Sequence, residues 1–330
     1  MFVFDLNKIQ RGDIILERSD DSTSKLVMKL SNSQFSHAIL YVGDTSCLEA
    51  DDIVISFNLQ RKLVENKENV CVLRLKETVA PITMENIILN ARMNVGMQYS
   101  INDAKAIVSE KYRPGNMRRQ TCTRFVAQAY AKAGIDLVED ANFCSPEELL
   151  KSEKLYIVED VLREATEGDI KLANSESILP KQHKIIRDVL EKVRKATNSD
   201  IQKINELKDF AILHQEFDGT IADILSESGY LEMWQEEEKL MPQQYDLAKF
   251  IQYYGKHSIE AACEISEKSQ PELNRYMFCH FQLLQDMRKF GHLKVVQLFT
   301  ELYENLTDLT MRRIVVAETV LDYVREGFDD

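Results

Sequence analysis

Two periods divide the chain. Through the first 80 residues the apolar positions come in short runs of the kind that form strands. Asp13-Ile14-Ile15-Leu16 follows Gly12. From Phe35 to Val42 the chain alternates, with Phe35, His37, Ile39 and Tyr41 on one face and Ala38, Leu40 and Val42 on the other. Gly43-Asp44-Thr45-Ser46 is turn chemistry, so Cys47-Leu48-Glu49-Ala50 should fold back as a hairpin partner. Ile53-Val54-Ile55 and Val70-Cys71-Val72-Leu73 complete the predicted strands, and residues 24–33 are expected as a short helix between strands.

From about residue 83 the spacing turns helical. Ile87, Ile88, Ala91 and Val95 mark a helix over 84–95 that Gly96 should stop. A second helix is expected from Thr121 to Gly134, and one or two more over 145–164, where Ser145-Pro146-Glu147-Glu148 is an N-terminal signature. Residues 166–178 are polar and aperiodic and are expected as a linker. Helices are then predicted over 180–197, 200–228, 243–255, 258–268, 271–290, 292–305 and 307–327. The organisation expected is therefore an α+β domain over 1–165, a linker over 166–178 and an all-α domain over 179–330.

Composition narrows the class. Eleven glycines and six prolines in 330 residues are about half the usual share, which excludes a collagen-like or linker-rich chain. No apolar run approaches the ~18 residues of a membrane span, and the first residues lack the pattern of a secretory signal. The net charge of −13 lies mostly in the second half, which argues against nucleic acid as a partner, because phosphate contacts need Lys and Arg. Six cysteines without a C-x-x-C give no zinc or thioredoxin pattern, and reduced thiols in the cytoplasm are expected. Neither a metal site nor a cofactor is expected: the remaining histidines do not pair at helical spacing, and there is no phosphate loop or dinucleotide fingerprint.

One constellation carries chemistry. Cys122 starts a helix, where unpaired backbone N–H groups and a partial positive charge favour a thiolate and offer donors to an oxyanion. Seven basic residues and one acid, Glu110, lie between 105 and 132. Read alone, Cys122 fits a small buried hydrophobe better than a nucleophile. His37 shifts that balance, because a histidine on the apolar face of a strand needs a polar partner. Glu49, of the same parity on the folded-back strand, falls opposite or diagonal to it and can fix the ring's tautomer. Nucleophile, base and orienter are thus Cys122, His37 and Glu49. The stretch ending in Arg118-Arg119 reads either as a loop for a substrate carboxylate or phosphate, or as a solvated loop.

Three runs together, Arg11-Gly12-Asp13-Ile14-Ile15, Phe35-Ser36-His37-Ala38-Ile39-Leu40-Tyr41-Val42-Gly43 and Leu48-Glu49-Ala50-Asp51, resemble the start of circularly permuted NlpC-type papain-like hydrolases. These are of the YiiX/YebB-like branch, related to the lecithin:retinol acyltransferase group. In that order the histidine strand precedes the polar third residue, and the cysteine helix comes last. Asn94-Val95-Gly96-Met97-Gln98-Tyr99-Ser100 is similar to the family's G-x-x-Y approach. Thr121 to Tyr130 is similar to its C-S-x-L-V-x-x-A-Y helix, with Thr123 where serine is commoner. The resemblance covers roughly residues 8–150. It implies a permuted papain-like (NlpC-type) domain with a small antiparallel sheet, and acyl transfer through a thioester on Cys122. Beside the Cys122 N–H, Tyr99 is a candidate oxyanion donor, with Tyr41 as fallback; packing is the other reading of either tyrosine, and the favoured one.

The function expected is a cysteine hydrolase or acyltransferase acting on a peptide-like amide or a lipid acyl group. The alternative is an inactive hydrolase fold whose helical domain binds a protein partner. A catalytic head with an unrelated helical domain is also compatible with secretion by a signal-independent route.

Overall fold

A computed structural model describes residues 1–18, 25, 28–29, 32–100, 102–103 and 117–326. The helix expected over 24–33 lies mostly outside these residues, as do 104–116 of the basic stretch. The chain divides into two compact units, one of residues 1–183 with 202–204, the other of 184–201 with 205–330.

The first unit is built on a six-stranded antiparallel sheet. Its strands are β2 (Ile14–Glu17), β3 (His37–Gly43), β4 (Ser46–Ala50), β5 (Val54–Asn58), β6 (Val70–Leu75) and β7 (Leu155–Ile157), in the order β5-β4-β3-β2-β6-β7. A second small sheet pairs β1 (Phe2–Phe4) with β8 (Leu162–Glu164). The β3–β4 hairpin turns where expected, with Gly43, Asp44 and Thr45 all at positive φ. Alternation sends Ala38, Leu40, Val42 and Leu48 into one core with helices α1 (Pro81–Arg92) and α2 (Cys122–Ala131). Ile15, Ile39, Tyr41 and Cys47 enter another core with Phe4, Leu59, Val64 and Leu162. The sheet thus has two buried faces, and α2 covers the one opposite Ile39 and Tyr41. Phe35 lies in the α2-side core, because β3 begins only at His37 and the alternation does not reach back to it.

Gly12 ties these layers together. It sits at φ +88°, its carbonyl accepts a hydrogen bond from the Tyr130 hydroxyl of α2, and a Cβ there would lie 2.6 Å from Met84 Cε. Its neighbours are anchored too: Arg11 donates to Glu85 of α1 at 2.6 Å, and the fully buried Asp13 accepts from Arg74 Nε and Nη2, each at 2.7 Å. Gly12→Ala is expected to cost at least about 1–2 kcal/mol from the left-handed backbone alone, read as a lowered urea midpoint for the first unit.

Two sequence expectations change here. Residues 145–164 hold only a short helix, α3 (Pro146–Leu150), closed by a Ser145–Glu148 capping box, and then β7 and β8. These strands pair with β6 and β1, which are distant in sequence, so local spacing could not reveal them. The expected linker contains α4 (Glu167–Ala173), capped by Thr166 and Asp169, and Arg61 donates to the carbonyls of Ser175 and Glu176. This stretch lies within the first unit.

Helix α5 (Leu179–Thr197) carries the chain into the second unit, which is helical throughout its described residues. Expected 200–228 becomes α6 (Asn205–Leu213) and α7 (Asp218–Ser228), with a 3₁₀ turn between them. Helix α8 (Met233–Leu240) had no sequence signal, and α9 (Leu247–Tyr254) follows Asp246 as its cap. Where four helices are expected beyond 258, two long ones form. α10 (Ser258–Phe290) runs through Pro271, and α11 (Lys294–Glu326) runs through 306. Thr307 and Thr310 donate to carbonyls four residues back, so neither hydroxyl stops the helix. Asp218 caps α11 by accepting from the N–H groups of Lys294 and Val295. Phe250, Ala262, Ala317 and Val320 form a core among α9, α10 and α11.

Candidate active site

Thr121 is the N-cap of α2, its side chain accepting from the Arg124 N–H, so Cys122 is the first helical residue. Its own N–H then has no acceptor within the helix. The Cys122 thiol lies against the start of β3, 3.9 Å from the Ser36 carbonyl and within hydrogen-bonding reach of the Ala38 and Thr123 N–H groups. His37 is the first residue of β3. From that end of the strand its ring reaches both Cys122, on the α2 side, and Glu49, whose backbone faces Ile39 across the hairpin. Glu49 is therefore diagonal to His37, and its Oε2 lies 2.8 Å from His37 Nε2.

Charge follows geometry. Burial alone disfavours the imidazolium, but the bonds to Cys122 and Glu49 outweigh it and push His37 up to about 10. Burial likewise opposes the Cys122 thiolate, and the His37 bond and charge, with the backbone donors, overcome it and bring the thiol below its ordinary value. Burial raises Glu49, and His37, Lys62 and His183 more than reverse this. Cys47, Cys71, Cys144 and Cys279 go the other way, each raised chiefly by burial. Cys122 itself is 6% exposed and belongs to the core on the α2 side. Thr123 donates to the Cys144 carbonyl at 2.6 Å, which fixes the turn after the thiol.

Tyr99 packs on the core beside Cys122 and bridges to Gln120, two residues before it. Burial, then the Cys122 charge, raises its phenol, so it stays a donor. Tyr41 does not join this group. It points into the other core, and its hydroxyl accepts from the Thr45 N–H in the hairpin turn. The fallback oxyanion donor is thus corrected: strand parity puts Tyr41 on the face away from α2. Arg119 donates to Gln98 Oε1 at 3.3 Å, while Arg118 is exposed.

Several contributors carried no sequence signal. Gln202 accepts from the Gln98 N–H at 3.2 Å, so it braces the loop that bears Tyr99. Arg124, fully buried two residues after the thiol, pairs with Asp103 at 2.6 Å and donates to the Asn142 and Arg119 carbonyls. Lys62 stands near Glu49 but pairs with Glu17. The histidines of the second unit are remote in sequence from these residues; His257 pairs with Glu260, and His292 with Gln215. Among the described residues, no three His, Cys, Asp or Glu side chains gather as a metal site, and no helix is long and apolar enough to cross a membrane.

The first unit is thus an α+β arrangement in which an antiparallel sheet bearing His37 and Glu49 packs against a helix that opens on Cys122. Residues 8–158, a little under half of the chain, match the model of the permuted papain-like amidase enzymes of YaeF/YiiX type, the C92 family. Among solved structures the chain is similar to the crystal structure of the metalloprotein yiiX from Escherichia coli O157:H7. The identity is 18%, the TM-score is 0.38, and the match covers 46% of this chain and 97% of that one. No curated protein matches the chain.

Proposed function

We propose that the first unit cleaves an amide bond by nucleophilic catalysis through Cys122. The observation that carries this is the His37 ring, held at Nε2 by Glu49 at 2.8 Å, beside a thiol that opens α2 and lies 3.9 Å from the carbonyl of Ser36, the residue before His37. The thiolate attacks the carbonyl carbon, and the oxyanion is met by the Cys122 N–H and the Tyr99 hydroxyl. As the C–N bond breaks, the His37 imidazolium gives its proton to the departing nitrogen. A thioester remains. Neutral His37 then takes a proton from water, the hydroxide attacks the thioester, and the C–S bond breaks to return the thiolate beside the His37 imidazolium.

Glu49 acts as the positioning residue. Glu49→Gln removes the charge that favours the imidazolium. Its kcat/KM is expected to fall by roughly 10²-fold, and the alkaline limb of the pH–rate profile to move down from about 10. A profile with an unmoved alkaline limb contradicts that role.

The reaction itself is tested with panels of peptidyl amides, N-acyl amides and acyl esters, quenched in acid and read by intact mass. An acyl adduct on Cys122 with amides, absent in Cys122→Ala, is the expected result. Adducts with lipid acyl esters alone assign the lipid reading instead. Product formed equally by Cys122→Ala overturns the proposal.

A further inference from the structure

Two acidic residues, not one, stand on the strands that border His37. In the β2–β3 register Glu17 stands directly opposite His37, on the same face as Glu49, and the Ser36 N–H bonds to the Glu17 carbonyl. His37 is thus bordered by an acid on each neighbouring strand. The hydrogen bond goes to Glu49, because Glu17 Oε2 is held at 2.8 Å by Lys62 Nζ. Lys62 follows the 3₁₀ turn after β5 and reaches back over the sheet, its ammonium 5.0 Å from the centroid of the Phe57 ring. That ring belongs to the residue paired with Cys47, two positions before Glu49.

We infer that Lys62 and Glu17 are positioning residues for the Cys122–His37–Glu49 reaction: Lys62 neutralises the acidic residue opposite His37 and leaves Glu49 as the ring's acid partner among the described residues. The inference rests on the reading of Cys122 and His37 given above. A bare Glu17 would add a negative charge next to the imidazole, favouring imidazolium and disfavouring the thiolate. A bare Lys62 would do the reverse and compete for Glu49. As a pair they leave the site's net charge unchanged. Among the described residues, the other titratable groups facing these are His183, which acts on Glu49, Cys47, which lies near Lys62, and Tyr99 and Cys144, which lie near Cys122. All four stay the same in the test below.

The test measures the pH midpoint of Cys122 alkylation by iodoacetamide, and the His37 ring-proton titration by NMR, in the full chain. Lys62→Met is expected to raise both midpoints, by roughly one pH unit, and Glu17→Gln to lower both. The Glu17→Gln/Lys62→Met double variant should return both close to wild type, which a merely structural pair would not do. Should Lys62→Met fail to fold, Glu17→Gln against the charge-neutral double variant gives the same comparison. The inference is overturned if the single variants leave both midpoints in place, or if the double variant keeps the displacement of a single one. An ordinary thiol titration for Cys122 in wild type overturns the reading of Cys122 instead. The His37 titration then still reports whether the pair acts on the ring.

Discussion

Cys122→Ala is expected to lower amide hydrolysis by at least about 10⁴-fold while leaving the first unit folded. The thiol supplies the only bond to substrate in the proposed reaction, and no described neighbour can replace it. Cys144 is the thiol in its electrostatic range, but burial pushes it up to about 12 and its residue is fully buried. The structural cost is small, because Cys122 contributes one sulfur at the helix start and the Thr121 cap is untouched. Product release and urea midpoint, measured together, separate the two effects. A variant that keeps a tenth of the activity (roughly 1.4 kcal/mol of barrier) cannot have lost its nucleophile.

The second large effect is on stability. Arg124→Ala is expected to cost about 3–5 kcal/mol, because it strands the Asp103 carboxylate in the core. Arg124 is 0% exposed and Asp103 5%. The guanidinium also serves the carbonyls of Asn142 and Arg119 and stacks on Phe143, with 5.1 Å from Cζ to the ring centroid. Arg124→Lys keeps the charge but not the planar fork, and should recover only part of the loss. Urea unfolding read by alkylation of Cys47 and Cys144, both buried in the first unit, reports the change. A loss below about 1 kcal/mol would place Arg124 among ordinary surface substitutions and contradict the packing described. Because this residue lies one half-turn from the thiol, the same ion pair fixes the helix end on which the chemistry depends.

The parts of the site that were legible in sequence rest on local rules. Alternation from His37 to Val42, the turn at 43–46 and the parity of Glu49 suffice to bring an imidazole and a carboxylate together. A threonine cap before Cys122 suffices to put a thiol at a helix start. What parity could not say is which face α2 would cover. It covers the Leu40 face, so Tyr41 points away, and only the strand-end position of His37 lets its ring meet Cys122. Lys62, Gln202 and the Asp103–Arg124 pair were invisible because each acts across a loop with no period of its own. The same holds for β7 and β8, whose partners are some 80 and 160 residues away. In the second unit Pro271 misled in the other direction. A proline is a strong helix breaker in isolation, yet α10 continues through it with the Leu273 and Leu283 side chains buried.

The most direct test of the central claim is the rate of iodoacetamide alkylation of all six cysteines against pH, read by mass spectrometry, in wild type and His37→Ala. A thiolate paired with the His37 imidazolium makes Cys122 the fastest of the six below pH ~7, and removal of the imidazole abolishes that lead. A Cys122 that titrates as an ordinary thiol near about 8.5, or that keeps the same profile without His37, contradicts it.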